Sequence, residues 1–200
     1  MKRLFASLLF AAACTSVHAA APIAKIQAML AKPEQLCGRF EQTKQLAGMK
    51  KPLVSSGRFC VVAGKGVLWR TLKPFPNTLH LKKDEIVHMQ GERVSMRLDA
   101  SKEPTVRMIN SVLFSLLAGD LKQLDTLFEV DGAITDTGWQ VALQARSAAL
   151  ARAIGAISLE GAAYVRTIHM NEESGDKTEI VFSEIKTGPA SLLPEEAALL

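Results

Sequence analysis

Few side chains in this 200-residue chain have the type and spacing to do chemistry. Beyond the N-terminal run the histidines are His80, His88 and His169. His80 and His88 flank Lys82-Lys83-Asp84-Glu85, a charged stretch suited to a hairpin tip. A tight tip would set the two imidazoles opposite one another on one face, where they could share a metal ion. Such a site normally takes a third ligand, and none stands nearby in sequence. Two solvent-facing histidines on a polar face are the plainer expectation, so no metal is expected. There is no Gly-x-Ser-x-Gly elbow to present a nucleophile and no His-Glu-x-x-His. Gly64-Lys65-Gly66 lies between strand-like runs and reads as a turn rather than a phosphate-binding loop. Enzymes bring several reactive groups together. None converge here, and the expectation is a non-catalytic protein with no cofactor.

The other reactive residues are Cys14, Cys37 and Cys60. Their state depends on the compartment. Lys2 and Arg3, the apolar run Leu4 to Ala13, polar Thr15 and Ser16, and the small-x-small Val17-His18-Ala19 together form an export signal cut after Ala19. The run is too short to span a bilayer. Lipidation at Cys14 is the alternative, although Ala11-Ala12-Ala13 lacks the Leu that such a signal usually carries. Residues 1–19 are thus read as a signal peptide and 20–200 as one domain, long enough for a full core. In an exported protein disulfides persist, so Cys37 and Cys60 are expected to pair, with two free buried thiols as the alternative. Loss of Lys2 and Arg3 lowers the net charge from +4 to +2. The basic residues are scattered among acidic ones, which leaves no nucleic-acid footprint.

Strands must position these residues. Pro22 to Leu30, with Ile23, Ile26, Met29 and Leu30 at helical spacing, predicts a short helix ended by Pro33. Gly38 to Gln45 and Ser56 to Val62 predict an antiparallel hairpin. If Cys37 lies opposite Cys60, Phe40 lies opposite Gly57; both cysteines then share one face, and Phe40, Phe59 and Val61 share the other. Val67 to Arg70, Thr78 to Leu81, Ile86 to Met89, and the alternating Val94, Met96 and Leu98 continue a meander. Pro104 then opens a helix with an apolar stripe of Val106, Ile109, Leu113, Leu116 and Leu117, and Arg107, Ser111 and Phe114 on its other side. Strands resume at Leu127 to Val130, with turns expected near Asp131-Gly132 and Asp136-Thr137-Gly138. Ser147 to Ala156 suits a helix or a strand. Tyr164 to Met170 and Lys177 to Glu184 form a hairpin, and a helical turn starts at Pro194.

Three of these stretches, in this order, resemble the LolA family of outer-membrane lipoprotein carriers. They are Phe40-Glu41-Gln42 behind an N-terminal helix, the Ser56-Gly57-Arg58-Phe59 strand running on to Trp69, and the closing hairpin from Glu173 to Ile185. The resemblance spans about residues 22 to 187. It implies a mainly β fold with helices, a half-open antiparallel β-barrel closed by helical lids, LolA/LolB-like. It also implies a periplasmic carrier that shelters the acyl chains of lipoproteins between an inner-membrane release complex and an outer-membrane acceptor, and a chain that works as a monomer. The acyl-binding residues implied are Phe40, Phe59, Val61, Val67, Trp69, Leu79, Leu81, Met89, Met96, Ile109, Leu113, Leu116 and Leu117. Seven methionines suit a surface that adapts to varied chains.

Two departures qualify the cargo. Family carriers have an Arg before a Pro, associated with cargo handover, where this chain has Ala63-Gly64-Lys65; lysine lacks the planar fork of arginine. The closing Phe-x-Pro-x-Gly segment is replaced by Pro189-Ala-Ser-Leu-Leu-Pro. Both allow a dedicated carrier of another amphiphile, a glycolipid or lipid-linked pigment serving a specific exporter. A tethered outer-membrane acceptor and a periplasmic sensor or adaptor are further alternatives.

Overall fold

The computed structural model describes residues 20–82, 84–91, 93–99, 102, 111–112, 114–115 and 121–200. Eleven strands make one antiparallel sheet: β1 (Gln35–Gln45), β2 (Leu53–Val62), β3 (Gly66–Lys73), β4 (Asn77–Leu81), β5 (Glu85–Gln90), β6 (Arg93–Asp99), β7 (Phe128–Thr135), β8 (Gly138–Ala145), β9 (Ala156–Gly161), β10 (Val165–Asn171) and β11 (Lys177–Thr187). Their spatial order is β6-β5-β4-β3-β2-β1-β11-β10-β9-β8-β7. Most neighbours in the sheet are neighbours in sequence, joined by short turns; the exception is β1 beside β11, which brings the two halves together. The edges β6 and β7 do not meet, so the sheet is a half-barrel. Helices α1 (Ala20–Met29), α2 (Ala148–Ile154) and α3 (Pro194–Ala197) accompany it.

Period-2 alternation sets the register of the first hairpin. Cys37 faces Cys60, Phe40 faces Gly57 and Gly38 faces Phe59. Neither glycine has room for a side chain. A Cβ on Gly38 would stand 2.8 Å from the Phe59 ring, and one on Gly57 would stand 1.9 Å from the Arg70 carbonyl oxygen and 2.9 Å from the Phe40 ring. Side chains alternate between faces along a strand. The pairs Phe59–Trp69, Trp69–Leu79, Leu79–His88 and His88–Met96 therefore share one face, as do Val61, Val67, Leu81, Ile86 and Leu98. This is the concave face, and the main core lies on it: Phe40, Phe59 and Phe182 with Trp139, Val141, Leu143, Leu159 and Ile168. Cys37, Cys60, Leu68, His80 and Val87 share the opposite, outer face.

Helix α1 closes one end of the concave face. Ile26 and Leu30 are buried, whereas Met29, expected on the same stripe, is exposed. The buried Gln27 accepts the Leu121 N–H at 2.7 Å and ties α1 to the 3-10 segment Leu121–Thr126. Asp131-Gly132 is not a turn: β7 runs straight through it. Gly132 instead lets α1 come close, since a Cβ there would stand 2.9 Å from Ile23 and 3.0 Å from Ile26. The ambiguous stretch resolves into both alternatives. Ser147 caps α2 by accepting the Leu150 N–H at 3.2 Å, a bond worth about 1 kcal/mol. Gly155 ends the helix, and β9 begins at Ala156.

Candidate functional site

The concave face is incompletely filled. Four rings cross its middle. Phe40 stacks on Trp69 with centroids 3.8 Å apart, Phe59 lies 4.8 Å from Phe182, and Trp69 meets Phe182 edge-on at 6.1 Å. Contacts of this kind add about 0.5–1.5 kcal/mol each beyond area burial, so the rings form a firm wall. A cavity lies on each side of it.

The first cavity, about 360 Å³, lies under the end of α1. Leu30, Leu36, Phe59, Val61, Tyr164 and Phe182 line it, with Phe114 and the backbone around Gly64. The second, about 350 Å³, is lined by Trp69, Leu79, Leu81, Ile157, Ile168 and Ile180, with Val112 and Ile154 above. Each has the volume of a small-molecule site and a mainly apolar lining, the pattern that takes an apolar ligand with few polar anchors.

The polar groups of the second cavity are Gln42, Lys44, Glu172 and Thr178. They gather near the end of the sheet where Gln45 pairs with Lys177. Lys44 donates to Glu172 at 2.9 Å and lies 3.8 Å from Asp176. The Glu172 hydrogen bond, with both carboxylates nearby, holds the Lys44 ammonium above its ordinary pKa despite partial burial. The mouth is thus a fixed charged lip on an apolar hole.

The outer face is closed differently. Cys37 and Cys60 are bonded to one another, and the disulfide lies under Leu192, Leu199 and Leu200 with Leu68. The Glu196 carboxylate, only 1% exposed, is gripped by Arg58 through two bonds of 2.7 and 3.2 Å. It also accepts the Leu193 N–H at 3.0 Å, and Arg70 stands 3.7 Å away. Burial pushes this carboxyl up, but Arg58, the Leu193 N–H and Arg70 together hold it below the usual carboxylate range. Cys37, Cys60 and Glu196 are close enough to suggest metal ligands; with the sulfurs bonded to one another there is no thiolate to coordinate.

The family model described as outer membrane lipoprotein carrier protein LolA-like matches residues 11–199. The chain belongs to this LolA-like family. No curated protein matches it in sequence. A LolA superfamily protein from Nitrosomonas europaea is similar in structure at 10% identity and a TM-score of 0.47, over 86% of this chain and 93% of that one. The MucA/MucB complex of Pseudomonas aeruginosa is similar at 13% and 0.46, over 89% of this chain and 59% of that one. A domain assigned to outer membrane lipoprotein sorting in Vibrio parahaemolyticus gives 10% and 0.45, over 86% and 93%. The LolA-like family is one of lipid- and lipoprotein-binding carriers.

Of the residues expected to bind acyl chains, Phe59 and Val61 line the first cavity and Trp69, Leu79 and Leu81 the second. Phe40 stands in the wall between them, and Val67 packs with Leu81 and Ile86 beside them. Met96 shares their face but is 45% exposed, and it lines neither cavity. Met89 is a correction: it pairs with Thr78, on the face opposite Leu79. Ile109, Leu113, Leu116 and Leu117 lie outside the described residues. Phe114 was expected on the far side of their helix, yet it packs toward Val67 and Ile86.

His80 and His88 do not lie opposite one another, and His80 is not solvent-facing as expected. His80 pairs with Val87 and Leu79 with His88, so the imidazoles point to opposite faces. His80 is buried, and burial, aided by Lys82, pushes its pKa below the ordinary value; Nε2 has no partner among the described residues. His88 lies against Ser95. The sequence reading missed Ile157, Ile168, Ile180 and Phe182. The alternation of Ile168 with Met170, and of Ile180 with Phe182, was the signal that could have found them.

Proposed function

We propose that this chain is a periplasmic carrier that shelters acyl chains of lipoproteins in transit from the inner to the outer membrane. The carrying observation is the pair of apolar cavities held apart by the Phe40–Trp69–Phe59–Phe182 wall. Each acyl CH₂ withdrawn from water contributes about 0.8 kcal/mol, so a chain that fills such a hole is held well, while a half-barrel leaves it a way out. Export with loss of residues 1–19, an inner-membrane release complex and an outer-membrane acceptor belong to this reading. The mainly apolar linings, with Lys44 and Glu172 at the mouth of the second cavity, favour binding over catalysis.

A second reading, a dedicated carrier of a glycolipid or lipid-linked pigment, is favoured by the first cavity's turn. It holds Gly64 and Lys65 where family carriers have an arginine. Native mass spectrometry of the protein from a bacterial periplasm, with lipid extraction, separates the two. A bound acylated peptide supports lipoprotein carriage, and a glycolipid or pigment lipid supports the second reading. A protein that emerges empty and ignores a fluorescent fatty-acid probe contradicts both.

A further inference from the structure

Beta strands β1 and β3 end where β2 and β4 begin, so the 46–52 and 74–76 turns lie side by side at one end of the sheet. This end carries the most exposed large apolar side chain among the described residues, Phe75 at 79%, with Met49, Leu53, Val54 and Leu72 all more than 40% exposed. The register places them at one end of the sheet, with Leu53 and Val54 on opposite faces of β2. Leu53 and Val54 pair with Lys44 and Thr43 on β1, and Ser56, two residues on, pairs with Lys73, which leads through Pro74 to Phe75. Between them stand Lys50, Lys51 and Lys73, all exposed, none with an ion pair or side-chain hydrogen bond among the described residues. The acidic turn Glu172 to Asp176, between β10 and β11, lies on the far side of β1, where Lys44 occupies Glu172 and Asp176.

A water-soluble protein gains nothing by holding five apolar side chains in solvent beside three unpaired lysines. Together they match a bilayer of anionic phospholipid, in which apolar tips enter the acyl boundary and ammonium groups meet the head groups. A protein partner would more commonly call for a flatter patch with a polar rim; here Met49 and Phe75 sit on protruding turns, with Leu53, Val54 and Leu72 at the adjoining strand ends. The charged lip of the second cavity opens at the same end, since Lys44 lines the cavity and pairs with Leu53. We propose that this end of the sheet docks on an anionic membrane surface, with Phe75 as the inserting side chain and Lys50, Lys51 and Lys73 as its electrostatic support. Docked in this way, the protein presents the second cavity to the lipid phase, and an acyl chain passes between bilayer and cavity without crossing bulk water.

The docking claim and the carrier reading are measured separately, the first with vesicles and the second with a fatty-acid probe. The purified protein is floated with vesicles of one part phosphatidylglycerol to three parts phosphatidylethanolamine, and with vesicles of phosphatidylcholine alone. The expected result is association with the anionic vesicles only, weakened by salt. Phe75→Ala is expected to cut it roughly tenfold, and Lys50→Ala, Lys51→Ala or Lys73→Ala about fivefold each. Ile134→Ala, an exposed apolar side chain at the opposite end, leaves it unchanged. All these variants should keep fatty-acid probe binding, which shows that they are folded. The proposal is overturned by absence of vesicle binding, by equal binding to neutral vesicles, or by indifference to Phe75→Ala. It is equally overturned if a purified acceptor protein binds through Phe75 while vesicles are ignored.

Discussion

On the concave side of β1 to β3, Phe40, Phe59 and Trp69 meet Phe182 and leave cavities of about 360 and 350 Å³ to either side. On the outer side of the same strands, Cys37, Cys60 and Leu68 lie sealed beneath the C-terminal segment, with Glu196 clamped by Arg58. Empty apolar volume costs stability, about 24 cal/mol for each Å³ left by a truncated core side chain. A sheet that keeps one face open must be held from elsewhere. Here a covalent bond and a buried ion pair stand behind the strands whose other face holds the ring wall. Rigidity and openness are divided between the faces, so a ligand can enter without the sheet coming apart.

If the outer face is the lock, removing it should cost most. Cys37 and Cys60 are separated by 23 residues. Closing a loop of that size restricts the unfolded chain by about 3 kcal/mol. Cys37→Ala with Cys60→Ala should lower the unfolding free energy by that amount in urea titrations. A loss below about 1 kcal/mol would mean that the outer face does not lock the sheet.

The ion pair should give the next largest effect. Glu196→Gln keeps the shape but leaves the Arg58 guanidinium without its carboxylate. Truncating one partner of a fully buried pair costs about 3–5 kcal/mol; Arg58 is 21% exposed, so about 2 kcal/mol is expected. The sign with pH follows from the lowered carboxyl. Glu196 contributes fully above its unfolded value of 4.5, and the contribution is lost as pH falls through the lower folded value. The native protein should therefore begin to converge on Glu196→Gln in stability as pH falls below 4.5, and meet it once pH has passed the lower folded value. Parallel curves at all pH values would show that the carboxylate charge does not hold the tail.

The two faces also differ in how far the sequence discloses them. The first hairpin was legible because a period of two leaves no freedom once Cys37 is set against Cys60; Phe40 must then meet Gly57. The same parity rule keeps the two histidines on opposite faces. Leu81 pairs with Ile86, so opposing residues in that hairpin are always an odd number apart, and His80 and His88 are eight apart. The outer lock was not legible. Arg58 and Glu196 lie far apart in sequence, and Leu192, Leu199 and Leu200 look like an ordinary apolar tail until it folds back over the disulfide. The second cavity was half legible. Its Trp69 and Leu79 side came with the family resemblance, while Ile157, Ile168 and Ile180 depend on β11 crossing to β1, a long-range pairing that local alternation does not reveal.

The concave face should respond in the opposite sense, with a small effect on stability and a large one on binding. Leu79 is the sharpest probe. It lines the second cavity, is only half-buried, and lies between Trp69 and His88. Leu79→Glu puts a carboxylate where an acyl chain would lie. In the empty protein that charge reaches water through the open side of the half-barrel and has His88 beside it, so a stability loss of about 1 kcal/mol is expected. In the loaded protein the chain shuts water out, and the carboxylate must lose its hydration or the chain its place. Affinity for a fluorescent fatty acid should fall at least about tenfold. Equal losses of stability and affinity would mean that Leu79 belongs to a filled core and that the two faces differ less than their geometry suggests. Retained stability with undiminished affinity would move the acyl chain to the first cavity, under α1.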